Sequence, residues 1–412
     1  MAWQYQELLN QNLQILFVLG LGALSARLQL FNQGTDLRAF NKIVFAILLP
    51  ASILLGLGLR TNLRDGKIWS FIGGFLMLRA ICLVGNAAVF YNKGVGYVTA
   101  NWLFVSWVST VILGVPLVRA ALGPQYSNLG VVAGISSFIF QLPAMLILFE
   151  IDVSRRTKMS ANNSLPSTSS GNLSIQEDGG QRENNIGDKD TVPASSARPA
   201  TTTAATAAKK SPLLTKQQAK SIGKQLLKNP ILWAILIGII VSATTLGPRY
   251  LNPGSPPPAQ PNCDYVPGTG FISLILSSLA GCTEPIALFA TGIFLLYKRP
   301  IACGWRVAIG YMVVKLVLVP ALMVGCAAAV GLESGSARAA VLLASLPISA
   351  AAFTLCDRYS TCLNQVVANI FWGTVLVLPT TLAWMAFMDA VDLFPMVKTP
   401  VPNACTDSPA SG

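Results

Sequence analysis

Two apolar stretches, each containing a proline, decide the fold: Ser109-Thr110-Val111-Ile112-Leu113-Gly114-Val115-Pro116 and Leu346-Pro347-Ile348-Ser349-Ala350-Ala351-Ala352. Proline removes a backbone donor from a helix and clashes with the preceding turn. In both stretches it is accompanied by small or hydroxylated residues. The pattern predicts two broken membrane helices that cross at their breaks, and two ordinary proline kinks are the alternative.

Half-helix amino ends at such a crossing would present free N–H groups and partial positive charge, which bind carboxylates. The predicted substrate site therefore comprises Ser109, Thr110 and Ser349, together with helix ends at Pro116 and Pro347.

The stretches lie within a chain of 412 residues that is 53% hydrophobic and only 11% charged. Soluble domains carry about twice that charged share. Apolar runs long enough to cross a bilayer recur, and backbone groups in lipid must be satisfied within the segment, so the spans should be helices. We predict an all-α polytopic membrane protein with ten spans, near 11–30, 41–59, 69–91, 100–120, 129–151, 231–248, 269–297, 306–330, 338–356 and 364–390.

The order of the spans predicts four regions. These are a first five-helix half (1–151), a disordered basic loop (152–228), a second five-helix half (229–392) and a C-terminal tail (393–412). With both termini outside or lumenal, 20 of the 29 Lys and Arg residues fall on the cytoplasmic side, which is the positive-inside pattern. We expect a multi-pass protein of the plasma membrane or the endoplasmic reticulum.

Prolines repeat between the two halves. Three prolines fall in the second, fourth and fifth spans, and three fall in the seventh, ninth and tenth. The first and last proline of each set are 93 residues apart in the first half (Pro50 and Pro143) and 94 apart in the second (Pro285 and Pro379). An odd number of spans per half means that the second half enters the membrane from the opposite side. The pattern predicts an inverted repeat, which is common in secondary transporters.

Three charged residues lie well inside predicted spans, away from the span ends, where charges are costly and usually functional. Arg79 and Lys315 occupy matched spans. They could create a positive field for anions or tether the broken helices by donating to carbonyls. Glu284 could exchange protons, because burial favours the neutral carboxyl group, or it could pair with one of the two cations. The amide of Gln141 could line a cavity or bond between helices.

Several function classes are disfavoured. The sequence contains no His and no Gly-rich loop followed by Gly-Lys-Ser/Thr. His-based catalysis and an ATP site are therefore not expected, and we predict neither enzyme activity nor a cofactor. The net charge of +12 is explained by loop lysines and arginines rather than by nucleic acid. A non-transporting receptor remains an alternative to a carrier.

The predicted loop is rich in Ser and Thr. It could be a regulatory segment phosphorylated by a kinase, or a tether joining the halves. The expected partners are a small organic anion and the lipid bilayer, and a homodimer is left open.

The motifs of both halves resemble the auxin efflux carrier family, which includes the plant PIN-type carriers. The resemblance rests on the order and spacing of short motifs, chiefly Asn41-Lys42-Ile43-Val44-Phe45 before Pro50, Gly114-Val115-Pro116-Leu117, Asn229-Pro230, Leu346-Pro347 and Leu378-Pro379-Thr380-Thr381-Leu382.

This resemblance implies a scaffold domain, a transport domain that carries the crossed helices, and an elevator-type movement of an auxin-like monocarboxylate anion. Ser109 stands where the plant carriers have a substrate-contacting Asn. Ser137 stands where they have a Gln, with Gln141 one turn away. The resemblance therefore adds Ser137 and Gln141 to the expected substrate-binding residues.

Overall fold

The structure is a computed structural model that describes residues 2–31, 35–163, 216–244, 271–297, 303–349 and 351–395. Within these ranges the chain is helical and contains no β-strand longer than one isolated bridge. This confirms the all-α class. Most of the predicted loop and most of the predicted tail lie outside the described residues.

The described ranges contain fourteen helices, numbered in chain order. They are α1 (Ala2–Arg27), α2 (Asp36–Leu59), α3 (Gly66–Phe90), α4 (Val95–Ser106), α5 (Thr110–Leu122), α6 (129–163), α7 (Lys216–Leu227), α8 (Pro230–Thr244), α9 (Phe271–Leu296), α10 (Trp305–Ala329), α11 (Ser334–Ala344), α12 (Ala351–Arg358), α13 (Leu363–Val375) and α14 (Val377–Ala390).

Six helical segments among the described residues are long and apolar enough to cross a membrane, and a seventh is obtained if α13 and α14, which meet at 61°, form one bent span. The chain is therefore a polytopic membrane protein. The predicted spans 100–120 and 338–356 are each divided between two short helices, and 231–248 corresponds to the 15-residue helix α8. Ten spans therefore remain a prediction.

Prolines shape the helices without always breaking them. Four of them, Pro50, Pro116, Pro143 and Pro320, come two residues after a wider π-helical turn. A proline ring in an α-helix collides with the carbonyl four residues earlier, and a wider turn relieves that crowding. Pro116 therefore lies within helix α5, and the helix end that the sequence predicted at Pro116 is found instead at Thr110.

The helices pack in two groups. The first consists of α1, α2, α8 and α9, and the second contains α3 to α6 and α10 to α14, while α7 contacts α8 of the first and α6 of the second. In the first group α1 and α9 approach closely: a Cβ added at Gly22 would overlap the carbonyl of Phe289, and one at Gly292 would overlap that of Leu19. Such contact through small residues is a usual way for membrane helices to associate.

The groups also touch each other. Near the start of α1, Tyr5 donates to Asp389 of α14 over 2.7 Å, and Asn12 donates to Thr381 over 3.2 Å. Asp389 also accepts from Arg338 of α11. These contacts join the first and last helices of the described chain at one end of the bundle.

Candidate functional site

The two decisive stretches meet in the structure. Trp107–Ser109 separates α4 from α5, and Ser345–Ser349 lies between α11 and α12. Val108 and Ile348 form an antiparallel bridge, and the Ser109 N–H donates to the Pro347 carbonyl over 3.1 Å. The unwound segments thus partly satisfy each other's backbone, as irregular structure at membrane depth requires.

Two half-helices begin at this crossing. Helix α5 starts at Thr110 and helix α12 at Ala351. The first N–H groups of a helix have no partner within the helix and carry partial positive charge. Two such ends beside one another form a place that favours an anion.

A partly open cleft borders the crossing. Its wall combines aliphatic side chains and Phe45 with five polar residues, Asn41, Ser109, Thr291, Ser349 and Thr374. A second, more open cleft shares Ser109 and Ser349 and adds Thr110 and Ser137. A mostly apolar cavity with a few converging polar groups is the usual form of a small-molecule site.

The serines of the two breaks are used differently. The Ser349 hydroxyl accepts the Ala351 N–H at 3.4 Å, and therefore caps the start of α12. Ser109 uses its carbonyl to accept from Leu113 and Gly114, while its hydroxyl makes no capping bond to α5. Ser109 borders both clefts, so its hydroxyl is placed to contact a ligand.

Lys315 holds the other ends of the broken helices. Lys315 is 2% exposed, and its ammonium group donates to the Val105 carbonyl over 3.0 Å and to the Ala344 carbonyl over 3.3 Å. These carbonyls end α4 and α11, where the helix dipole is negative. The geometry is that of a tether, one of the two roles considered from the sequence, and it leaves the positive charge next to the crossing.

Arg79 supports the crossing through α6. It is 3% exposed and donates to the Gln141 amide oxygen over 2.7 Å and to the hydroxyls of Ser136 and Ser137. The Gln141 amide nitrogen donates in turn to Ser106, the last residue of α4. Gln141 is thus hydrogen-bonded at both ends and borders neither cleft, whereas Ser137 borders the second.

Neither Arg79 nor Lys315 has an acidic partner among the residues that the structure describes. Glu284 lies in the first group of helices, where it accepts a 2.8 Å hydrogen bond from Gln11, and its described contacts include neither cation. Two positive charges without carboxylates make the region around the crossing attractive to anions.

The structure places Ser109, Thr110, Ser137 and Ser349 at the clefts, and it places Pro347 in the crossing itself. Pro116, Gln141 and Glu284 line neither cleft. Asn41, Thr291 and Thr374 line the first cleft but were not predicted as site residues. In the sequence they stand out only as polar residues near apolar ones. Many buried Ser and Thr residues of this chain look the same, so the pattern could not single out these three.

Comparison with known proteins shows the family. The model of a family described as "Membrane transport protein" matches residues 8–385. The chain belongs to this membrane transport family. The family is one of transporters rather than enzymes, and the chain is an integral, multi-pass membrane protein.

Curated relatives are auxin efflux carriers, which confirms the resemblance seen in the motifs. The chain is 27% identical over 283 residues to auxin efflux carrier component 8 of Arabidopsis thaliana, covering 68% of each protein. It is 24% identical over 332 residues to component 5 of the same plant, covering 78% of the chain and 80% of that protein. Its match to the probable component 1c of Oryza sativa subsp. japonica, 27% over 209 residues, covers half of the chain and only 33% of that protein.

Proposed function

We propose that this protein is a secondary carrier that exports a small monocarboxylate anion, auxin-like in kind, by an elevator-type movement. The observation that carries the proposal is the crossing, where two half-helix amino ends and the Ser109 hydroxyl meet beside a cleft. Membership of a transport family and relatives named auxin efflux carriers support the same function.

The substrate carboxylate would lie between the amino ends of α5 and α12. Ser109, Thr110 and Ser349 would donate to it or to the polar part of its ring. Lys315 and Arg79 would not touch it, because both side chains are buried and their described hydrogen bonds go to carbonyls, hydroxyls and an amide. Their charges would still lower the cost of bringing an anion into the membrane. The aliphatic side chains of the cleft, with Phe45, would hold the apolar part.

The architecture we propose is ten spans in two inverted five-helix halves. Two pairs of features support it. Arg79 in α3 and Lys315 in α10 are both buried cations, and the breaks at 107–109 and 345–349 fall between consecutive short helices in both halves. In the elevator movement, the group with the crossing would slide against the group formed by α1, α2, α8 and α9.

For the membrane, we propose the plasma membrane or the endoplasmic reticulum, with both termini outside or lumenal and the loop 152–228 cytoplasmic. The excess of Lys and Arg in the cytoplasmic segments supports this orientation. A homodimer and a kinase that acts on the loop belong to the same proposal and are open to test.

A proton-coupled carrier of another organic anion is the second candidate, and Glu284 is the residue that favours it. This carboxylate lies partly buried in α9 with Gln11 as its described partner, rather than in a fixed ion pair. A carboxyl group in such surroundings can take up and release a proton.

Efflux from proteoliposomes tests the proposal. We expect radiolabelled indole-3-acetate, or another member of a panel of monocarboxylates, to leave liposomes that contain the purified protein faster than empty ones, with saturation. If every compound stays at background, the carrier proposal fails. Saturable binding without flux would instead select a receptor.

A further inference from the structure

Helix α7, which ends the loop before the second half, carries lysines at a regular spacing. Lys220, Lys224 and Lys228 are four residues apart and exposed, and Lys228 continues the helical hydrogen-bond pattern by donating its N–H to the Lys224 carbonyl. Residues four apart lie on one face of a helix. The segment 216–228 contains no Asp or Glu. One face of α7 therefore carries three positive charges and no negative one.

The opposite face of α7 packs on the protein. Ile222 is 5% exposed and belongs to the main apolar core, and Leu226 packs against the same core. Helix α7 contacts α6 and α8. The orientation of α7 is thus fixed by its apolar side, which keeps the lysine face outward.

The position of α7 brings this face to the membrane boundary. Helix α8 begins at Pro230, two residues after Lys228. In its first turn, the indole N–H of Trp233 donates to the Leu227 carbonyl over 2.7 Å, and the side chains of Trp233 and Leu227 are 48% and 67% exposed. Trp side chains concentrate at the level of the lipid headgroups. We therefore expect the three lysines to lie close to that level.

None of the three lysines has a carboxylate partner among the described residues. Like charges four residues apart also repel each other weakly, and an anionic partner beside this face would offset that repulsion. We propose that the lysine face of α7 binds acidic phospholipid headgroups of the adjoining leaflet. This inference requires only a membrane protein and does not depend on the transported substrate.

Each lysine near an anionic membrane surface contributes about a fivefold gain in binding. The three together would therefore give a preference for acidic over zwitterionic lipid on the order of a hundredfold at low salt. The preference should weaken as salt rises, because exposed charges are screened.

Native mass spectrometry of the full chain tests the proposal. The purified protein in detergent is mixed with equal amounts of phosphatidylserine and phosphatidylcholine, and the bound lipids are counted. We expect the wild type to retain phosphatidylserine preferentially. The variant Lys220→Gln/Lys224→Gln/Lys228→Gln should lose most of this preference, and the corresponding Lys→Arg variant should keep it.

A matched control removes three other exposed cations, by Lys42→Gln, Lys93→Gln and Arg306→Gln. This variant should keep the wild-type preference. The proposal is overturned if the glutamine variant of α7 prefers phosphatidylserine as strongly as the wild type, or if the control loses as much. It is also overturned if the wild type gains its preference only after deletion of residues 177–190, because the lysines would then be covered by the chain's own acidic segment.

Discussion

Lys315 donates to the last carbonyls of two broken helices, and neither partner could be recognised in the sequence because every residue has a carbonyl. The sequence singled out Lys315 and Arg79 correctly as buried cations. The sequence could not decide whether these cations tether the broken helices or create a positive field for anions, because that choice depends on the distances between their donors and the backbone carbonyls. The same limit applies to Gln141, whose amide proves to be occupied at both ends.

Replacing Lys315 by Met should destabilise the protein. Two buried carbonyls would lose their donor, and each such loss costs roughly 1–3 kcal/mol. Thermal unfolding of the detergent-purified protein measures the effect, with the exposed Lys93→Met as control. We expect a clearly lower melting temperature for Lys315→Met alone. Equal melting temperatures for the wild type and Lys315→Met would contradict the tether.

Ser109→Ala should weaken substrate binding without affecting stability, because its hydroxyl does not cap α5. A hydrogen bond to a charged group is worth about 1.5–3 kcal/mol, so the half-saturating concentration should rise roughly tenfold or more. Concentration-dependent efflux measures this value. Ser345→Ala is the matched control, because that buried hydroxyl donates to the Leu342 carbonyl. A Ser109→Ala carrier with the wild-type half-saturating concentration would remove Ser109 from the site.

At the scale of helices, the prolines predicted where the chain departs from regular α-helical geometry. They did not predict whether the helix breaks there or forms a wider turn. Pro347 lies in a true break, whereas Pro116 lies in a helix because a π-helical turn absorbs its ring. The break in the first half begins at Trp107 instead. Its position is set by pairing with the strand-like segment around Ile348, a contact across some 240 residues that no local pattern encodes.

The contact between α1 and α9 gives a prediction at this scale. Gly292→Ala places a methyl group against the Leu19 carbonyl, whereas Gly281→Ala in the same helix meets nothing within 4 Å. Forcing a group into a packed contact costs typically 1–3 kcal/mol. We expect Gly292→Ala to lower the melting temperature and the yield of monodisperse protein in size-exclusion chromatography. Indistinguishable behaviour of the two variants would show that α1 and α9 do not approach this closely.

At the scale of the whole molecule, composition and apolar runs were sufficient to predict an all-helical membrane protein. The number of spans was harder to establish, because helices divided by a break are too short to be recognised by length and hydropathy. The resemblance implied a scaffold domain and a transport domain but not that α1, α2, α8 and α9 form one group, since packing between distant helices leaves little trace in one sequence.

Proton coupling is a property of the whole transport cycle. If Glu284 carries the proton, efflux should depend on a pH gradient, and Glu284→Gln should abolish that dependence because an amide does not titrate. Flux measured at several internal and external pH values decides this, with Glu7→Gln as the control. Unchanged pH dependence in Glu284→Gln would rule out this residue as the coupling site.

The central claim is that the crossing of the segments at Val108 and Ile348 recognises a carboxylate. The most direct measurement compares efflux of indole-3-acetate and its neutral analogue indole-3-acetamide from the same proteoliposomes, after subtraction of leakage from empty liposomes. The two compounds have nearly the same shape and differ mainly in charge. We predict saturable efflux of the acid and none of the amide. Equal protein-dependent efflux of both compounds would contradict an anion site at the crossing.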